Sequence, residues 1–321
     1  MQAAQGDPMP EPELHEVAPG VYAYVQPDGS WMLNNTGLVT APPGAAPDTG
    51  YVLVDTTSTE SRNRALLRRV RDVAGDGPPR VLVNTHHHGD HTFGNWLMPP
   101  RTPIVGHVLC RADVERSGTL AARTFTGPDY GELRVRPPDT TFESRLTLHL
   151  GERRIDLLHT GPAHTRGDVI VWLPAERVAF AGDLAFSGGQ PFLVDGSVAG
   201  YPAALAALCA LAPAVLVPGH GPISRGDDVP RLLGDLLEYS TVVEHLARYG
   251  HKAGVPPLEL ARGATRELGR FATWRESERL VGNLHRAYFE LDGNAPGSHL
   301  PMADVWADMV AYHGGPIPCH A

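Results

Sequence analysis

Thr85-His86-His87-His88-Gly89-Asp90-His91-Thr92 decides how this chain is read. It places His86, His88, Asp90 and His91, all with metal-binding atoms, in the pattern His-x-His-x-Asp-His. The apolar run Arg80-Val81-Leu82-Val83-Asn84 precedes it, behind the loop-like Gly75-Asp-Gly-Pro-Pro79, which predicts a buried strand delivering these side chains at its C-terminal end. In extended backbone His86 and His88 point to one side. Gly89 is expected to let the chain turn, so that Asp90 and His91 face a second point nearby. One loop then begins two metal sites. A His-rich surface loop is the plain alternative, and it is disfavoured because further ligand-type residues follow downstream.

Size and charge bound the answer. With 321 residues and 42% hydrophobic content, the chain can bury a large core. A net charge of −9 and no basic run argue against a nucleic-acid binder. The N-terminal Met1–Pro10 has neither the positive region nor the apolar region of a signal peptide. No apolar stretch approaches a membrane span, so a cytoplasmic protein with no membrane partner is expected. Cys110, Cys209 and Cys319 are odd in number and widely spaced, with no disulfide framework and no zinc-type pair.

From the N-terminus, residues 1–16 are rich in Pro and acid and are expected to be loose. Val21–Val25, Trp31–Thr40 and Tyr51–Asp55 read as strands, separated by Pro27-Asp28-Gly29 and the Pro/Gly-rich Ala41–Gly50. Thr59–Ala74 has helical spacing at Ala65, Leu66, Val70 and Val73, and with the next strand makes a β–α–β unit. Pro103–His107 reads as a strand and Val108–Gly118 as a helix. Residues 119–144 read as a long irregular loop or lid, where specificity often resides. Leu146–Leu158 and Val169–Phe180 read as hairpins, Pro202–Leu211 as a helix and Ala214–Val217 as a strand. From Val229 onward, long amphipathic helices predict an extension over residues 229–321 packed on a core of residues 1–228.

Three later segments complete the ligand set, each after or at the end of a strand. They are Gly161-Pro-Ala-His164, Ala181-Gly-Asp183-Leu184 and Pro218-Gly-His220-Gly221. Counting assigns His86, His88 and His164 to one ion and Asp90, His91 and His220 to another, with Asp183 bridging. Imidazoles and carboxylates without thiolates suit two Zn2+, with Fe or Mn2+ also compatible. Two close cations lower the pKa of a bridging water from about 15.7 toward neutrality, which suits hydrolysis of an activated acyl group. Asp90 and Asp183 are the expected catalytic carboxylates. His87, between the ligands, is read as structural, and His107, His149 and His159 as ordinary residues.

This ordered motif resembles the metallo-β-lactamase fold superfamily over residues 15 to 225. The resemblance implies an α+β fold, a four-layer αββα sandwich with the dinuclear site between sheet edges. It also implies that Asp55 sits behind the ligands and orients one of them. Dinuclear β-lactamases generally lack the bridging Asp, and the di-iron branch has Glu where this chain has His88. These departures leave the thioesterase, lactonase and glyoxalase II-like branch.

Five further stretches are Trp31-Met-Leu-Asn-Asn-Thr-Gly37, Asn84–Asn95, Val171-Trp-Leu-Pro174, Ser197-Val-Ala-Gly200 and Val310–Pro318. They are similar to actinorhodin-type aromatic polyketide second-ring cyclase/thioesterases. That similarity implies a carrier-protein-tethered polyketide substrate, ring closure and thioester hydrolysis by metal hydroxide. Trp31, Phe93, Trp96, Tyr130, Phe186 and Phe192 are the candidate walls for such a substrate. A general hydrolase of small esters, lactones or glutathione thioesters is the alternative. A non-catalytic binding protein on the same fold predicts broken ligands, and all seven are intact. A homodimer is compatible with the sequence.

Overall fold

The computed structural model describes residues 10–42, 44–46 and 49–321. Residues 1–9, most of the stretch expected to be loose, lie outside the described residues, as do 43, 47 and 48 of the Ala41–Gly50 connection. The remainder of that N-terminal stretch is ordered. Glu13–Ala18 forms strand β1, paired antiparallel with β2 (Val21–Val25).

Two sheets face each other. The first runs in sequence order through β1, β2, β3 (Thr36–Thr40), β4 (Tyr51–Val54), β5 (Val81–Val83), β6 (Ile104–His107) and β7 (Thr140–Phe142). The second is ordered β13-β12-β11-β10-β9-β8, built from β8 (Arg145–Leu150), β9 (Arg153–His159), β10 (Val169–Leu173), β11 (Val178–Phe186), β12 (Val215–His220) and β13 (Ser224–Arg225).

The strands read as continuous apolar runs because both faces are covered. In β4, Val52 and Val54 point between the sheets, where they meet Phe180 and Val217 of the second. Tyr51 and Leu53 point the other way, under α1 (Glu60–Ala74). In β10, Val169 and Val171 join the inter-sheet core, while Ile170 and Trp172 face the helices on the far side. This alternation gives four layers, helix, sheet, sheet and helix.

Helix α1 starts where the Thr59 side chain accepts from Arg62 N and ends at Gly75, whose φ of 79° suits glycine. Its buried face carries Asn63, Leu66 and Val70. Val73, expected in the core, is 41% exposed. After β5 come the short α2 (Gly89–Thr92), then α3 (Val108–Ser117) and α4 (Leu120–Thr124). The predicted lid is therefore not wholly irregular, since it contains α4 and β7.

Helix α5 (Tyr201–Leu211) covers the second sheet. The C-terminal helices follow: α6 (Asp228–Ala253), α7 (Pro257–Gly263), α8 (Thr265–Leu268), α9 (Arg279–Leu291) and α10 (Met302–His313). Leu236, Tyr239 and Val243 of α6 and Leu280, Val281 and Leu284 of α9 share one apolar cluster with Ala179, Ala181 and Leu216 of the sheet. The extension and the sheet thus bury one continuous core. No helix among the described residues is long and apolar enough to cross a membrane.

Candidate metal centre

Four segments converge at one edge of the sandwich. His86 and His87 occupy a bend after β5, not an extended strand, His88 precedes α2, and Asp90 and His91 lie in α2. His164 sits in the β9–β10 loop. Asp183 was expected in a loop after a strand that ended at Phe180. It lies inside β11, which runs on to Phe186, and His220 is the last residue of β12. Gly89 was expected to supply a turn. Its φ is not positive; instead, a Cβ there would stand 2.4 Å from the Phe93 ring, so the need is for space.

Coordinating atoms of His86, His88, His164 and Asp183 lie within 4.8 Å of one another, and so do those of Asp90, His91 and His220. Asp183 stands between the groups. Its Oδ2 is 3.3 Å from both His164 Nε2 and His220 Nε2, and its Oδ1 is 3.1 Å from His91 Nε2.

Each of the five imidazoles is tied to protein through one nitrogen and presents the other to this centre. His91 Nδ1 donates to Asp55 Oδ2 at 2.8 Å. His220 Nδ1 donates to the carbonyls of Leu33 and Gly29, and His164 Nδ1 to the carbonyl of Phe192. Thr85 Oγ1 gives its only proton to Asp55 Oδ2, so at 3.1 Å it accepts from His86 Nδ1. His88 is held the other way round, its Nε2 donating to Asp195 Oδ2 at 3.1 Å. These partners fix the tautomer of each neutral ring, so that its lone pair sits on the inward nitrogen.

Inward lone pairs repel. His164 Nε2 stands 2.9 Å from His88 Nδ1 and 3.2 Å from His86 Nε2. His91 Nε2 and Asp183 Oδ1 are buried and make no hydrogen bond. Such a constellation is costly unless a positive centre sits among the lone pairs, and imidazole with carboxylate is a donor set for Zn2+, Fe or Mn2+. The residues present therefore fit divalent cations. The three cysteines contribute no thiolate to either group.

Charges within the cluster follow the same logic. Burial lowers His86 well below the usual histidine range and His164 to about 3. Burial opposes charge on His91 and His220 too, yet the Asp183 carboxylate, aided by Asp55 and Asp90 for His91 and by Asp90 for His220, outweighs it. His91 rises well above its ordinary value and His220 to about 9. Against the same burial, the neighbouring imidazoles hold Asp183 well below the carboxylate range and Asp90 at about 2.

The ligand edge opens into a cavity of about 220 Å³. His88, Asp90, His164, Asp183 and His220 line one part, while Trp31, Phe93, Phe186, Phe192, Phe125 and Trp306 are among its other walls, as are Asp195 and Arg279. Two of the expected aromatic walls lie elsewhere. Trp96 sits outside the cavity lining, with the Arg134 guanidinium 5.0 Å from its ring. Tyr130 packs behind Phe93 and spends its hydroxyl on the Phe125 carbonyl, 2.9 Å away. Of the expected lid, Leu120, Ala121, Thr124 and Phe125 reach the cavity.

Sequence reasoning missed Asp195, Thr85 and the pair Asn34–Asn35. Asp195 closes the apolar run Phe192-Leu-Val-Asp, and an acid there was the available signal. Asn35 Nδ2 donates to the carbonyls of Pro218 and Gly221 on either side of His220, which explains an amide in the Trp31–Gly37 stretch. His87 turns away from the two ligand groups, its Nε2 4.0 Å from Asp195 Oδ2, and burial pulls it down to about 4.

A four-layered helix–sheet–sheet–helix sandwich with a His/Asp centre at its edge defines a class of metal-site proteins. The chain belongs to the metallo-beta-lactamase superfamily, whose model matches residues 30–220. It is similar to a hydroxyacylglutathione hydrolase of Mesorhizobium japonicum, 32% identical over 35% of this chain and 36% of the relative. The match thus spans about a third of that relative's length. A metallo-beta-lactamase type 2 of Pseudomonas aeruginosa is 23% identical over 62% of this chain and 73% of its own. Among solved structures, a metallo-beta-lactamase from Pontibacter korlensis superposes with a TM-score of 0.57 at 21% identity, covering 71% of this chain and 99% of that one. Those two β-lactamases are likenesses of fold.

Proposed function

We propose that this protein is a metal-dependent hydrolase of thioesters or comparably activated esters. The observation that carries the reading is the set of five imidazoles, each anchored by one nitrogen and turned with the other toward Asp183. His86, His88 and His164 would hold one cation and Asp90, His91 and His220 a second, with Asp183 shared. Bound there, the cations supply Lewis acidity and lower the pKa of water enough for hydrolysis near neutral pH.

The chain's own groups do the rest. Asp55 keeps the proton of His91 on Nδ1, and Asp195 keeps that of His88 on Nε2, so neither ring turns its N–H toward the substrate. Asp183 and Asp90, whose carboxylates line the cavity, orient a water by accepting its hydrogen bonds. The aromatic walls exclude bulk solvent from the acyl group and so strengthen the electrostatics acting on it. Relatives named hydroxyacylglutathione hydrolase support thioester cleavage over other reactions.

A second reading assigns the acyl part to an aromatic polyketide on a carrier protein, with ring closure accompanying release. Trp31, Phe125, Phe192 and Trp306 favour it, because a wall of aromatic rings suits a flat polycycle better than a glutathione peptide. Incubation of the zinc-loaded chain with lactoylglutathione and with an N-acetylcysteamine thioester of 2-naphthoic acid, read by mass spectrometry, tests both readings. Cleavage of the naphthoyl thioester in preference supports the aromatic acyl group. Preference for lactoylglutathione removes the polyketide reading, and cleavage of neither removes the hydrolase.

A further inference from the structure

The family match ends at residue 220, so helices α6–α10 lie beyond it. Helix α9 nevertheless reaches the metal centre, directly where Arg279 lines the cavity and through the loop that its polar face grips. Arg279, Asn283 and Arg286 are spaced four and three residues apart, which puts them on one face of the helix. They are 1%, 0% and 0% exposed, a costly placement for polar side chains that only matched hydrogen bonds make tolerable.

All three bond backbone atoms of the segment 190–194, with Glu276, Ser298 and Tyr239 taking further donors. Arg279 donates to the Gln190 carbonyl at 2.9 Å, and Arg286 Nε to the Val194 carbonyl at 2.8 Å. Asn283 grips both sides of Phe192, donating to Pro191 O and accepting from Leu193 N, each at 2.8 Å. That segment does two things for the site. The Phe192 carbonyl fixes His164 through Nδ1, and Asp195, next after Val194, fixes His88 through Nε2. His164 and His88 belong to the same ligand group. The other group, Asp90, His91 and His220, is braced by Asp55, Leu33 and Gly29; of the three α9 side chains only Arg279 approaches it, lying over Phe186, whose ring stacks on His220.

We infer that the polar face of α9, above all Asn283, is a positioning device for one half of the metal centre. Through Asn283 and Arg286 it sets the 190–195 segment so that His164 and His88 present their lone pairs to the first cation, and neither of those two side chains bonds a partner of the second cation's ligands. The inference rests on the metal-centre reading given above. Misplacing the partners behind metal-binding histidines weakens metal affinity by about 10- to 100-fold, so the effect should fall on one ion only.

Zinc stoichiometry and affinity, measured by chelator competition on the full chain and its Asn283→Ala variant, separate the outcomes. The expected result is two tight ions in the parent, but one tight ion and one weakened about 10- to 100-fold in the variant. Asn283→Asp keeps the acceptor for Leu193 N and loses the donor to Pro191. It should show the same split to a smaller degree, and it serves if the alanine variant does not fold. Equal weakening of both ions, as from general destabilisation, overturns the inference, and so does an unchanged pair. A parent chain that binds no zinc overturns the metal-centre reading and this inference together.

Discussion

Asp55 Oδ2 accepts the Nδ1 proton of His91 at 2.8 Å, while its Oδ1 and Oδ2 also take Thr85 N and Oγ1 at 2.7 and 2.6 Å. One carboxylate thus fixes the His91 tautomer and the Thr85 hydroxyl that orients His86, linking ligands of the two proposed ions. Asp55→Asn keeps the shape but can offer N–H where His91 needs an acceptor. The expected result is a folded protein whose zinc affinity falls by about 10- to 100-fold, read by chelator competition with circular dichroism as the folding control.

Glycine at 219 is required by the site, not by a turn. A Cβ built there would stand 1.8 Å from Asp183 Oδ1 and 2.9 Å from Asp183 N. Gly219→Ala must therefore push Asp183, or the β11–β12 pairing that carries it, out of place. Elemental analysis should show metal lost from both positions, because Asp183 serves both. Gly263→Ala, where nothing lies within 4 Å, should leave metal content unchanged.

Proton linkage has a definite sign. His220 rises to about 9 and His91 well above its ordinary value, so both are protonated at neutral pH when no cation competes. Their contribution to the stability of the metal-free fold is complete below the unfolded value near 6.5 and fades as pH climbs through about 9. Cation binding must displace those protons, so zinc affinity should rise between about pH 7 and 9. Calorimetry in buffers of different ionisation enthalpy should find proton release on binding at pH 7, shrinking toward pH 9.5, while the melting temperature of the metal-free chain falls over the same interval.

Trp306 of α10 meets Phe125 with ring centroids 5.2 Å apart and Trp31 at 6.5 Å, extending the aromatic wall from beyond the family match. It touches none of the seven ligands. Trp306→Ala should raise KM for the naphthoyl thioester about tenfold, through lost ring contacts, and leave an acetyl thioester unaffected. Steady-state kinetics on both substrates check this.

Much of the site was legible in the sequence, because metal chemistry demands particular residue types at positions a strand end can serve. The pattern from His86 to His91, then His164, Asp183 and His220, is such a demand. Asp55 was legible only through family likeness. Asp195 and Asn283 were hidden, since their partners are side chain or backbone atoms far off in the chain, and a hydrogen bond across 92 residues leaves no local period. The four layers were legible only through family likeness, since Tyr51–Val54 is apolar at every position, and the ends of β3 and β11 did not follow from the residue pattern. Trp31-Met-Leu33 is an apolar run like the start of a buried strand, yet hydrogen bonds from Asn34 to Thr56 and from Asn35 to the His220 loop hold it out of the sheet. Trp96 and Tyr130 were misplaced for a related reason: an aromatic near a ligand in sequence can pack behind its neighbour as easily as beside the substrate.

The most direct test is anomalous diffraction at the zinc edge on crystals of the zinc-loaded chain, with elemental analysis of the same sample. The account predicts two sites per chain, one among His86, His88 and His164 and one among Asp90, His91 and His220, with Asp183 touching both and Asp183→Ala losing them. A chain that takes up no transition metal, or that holds it away from Asp183, would contradict it.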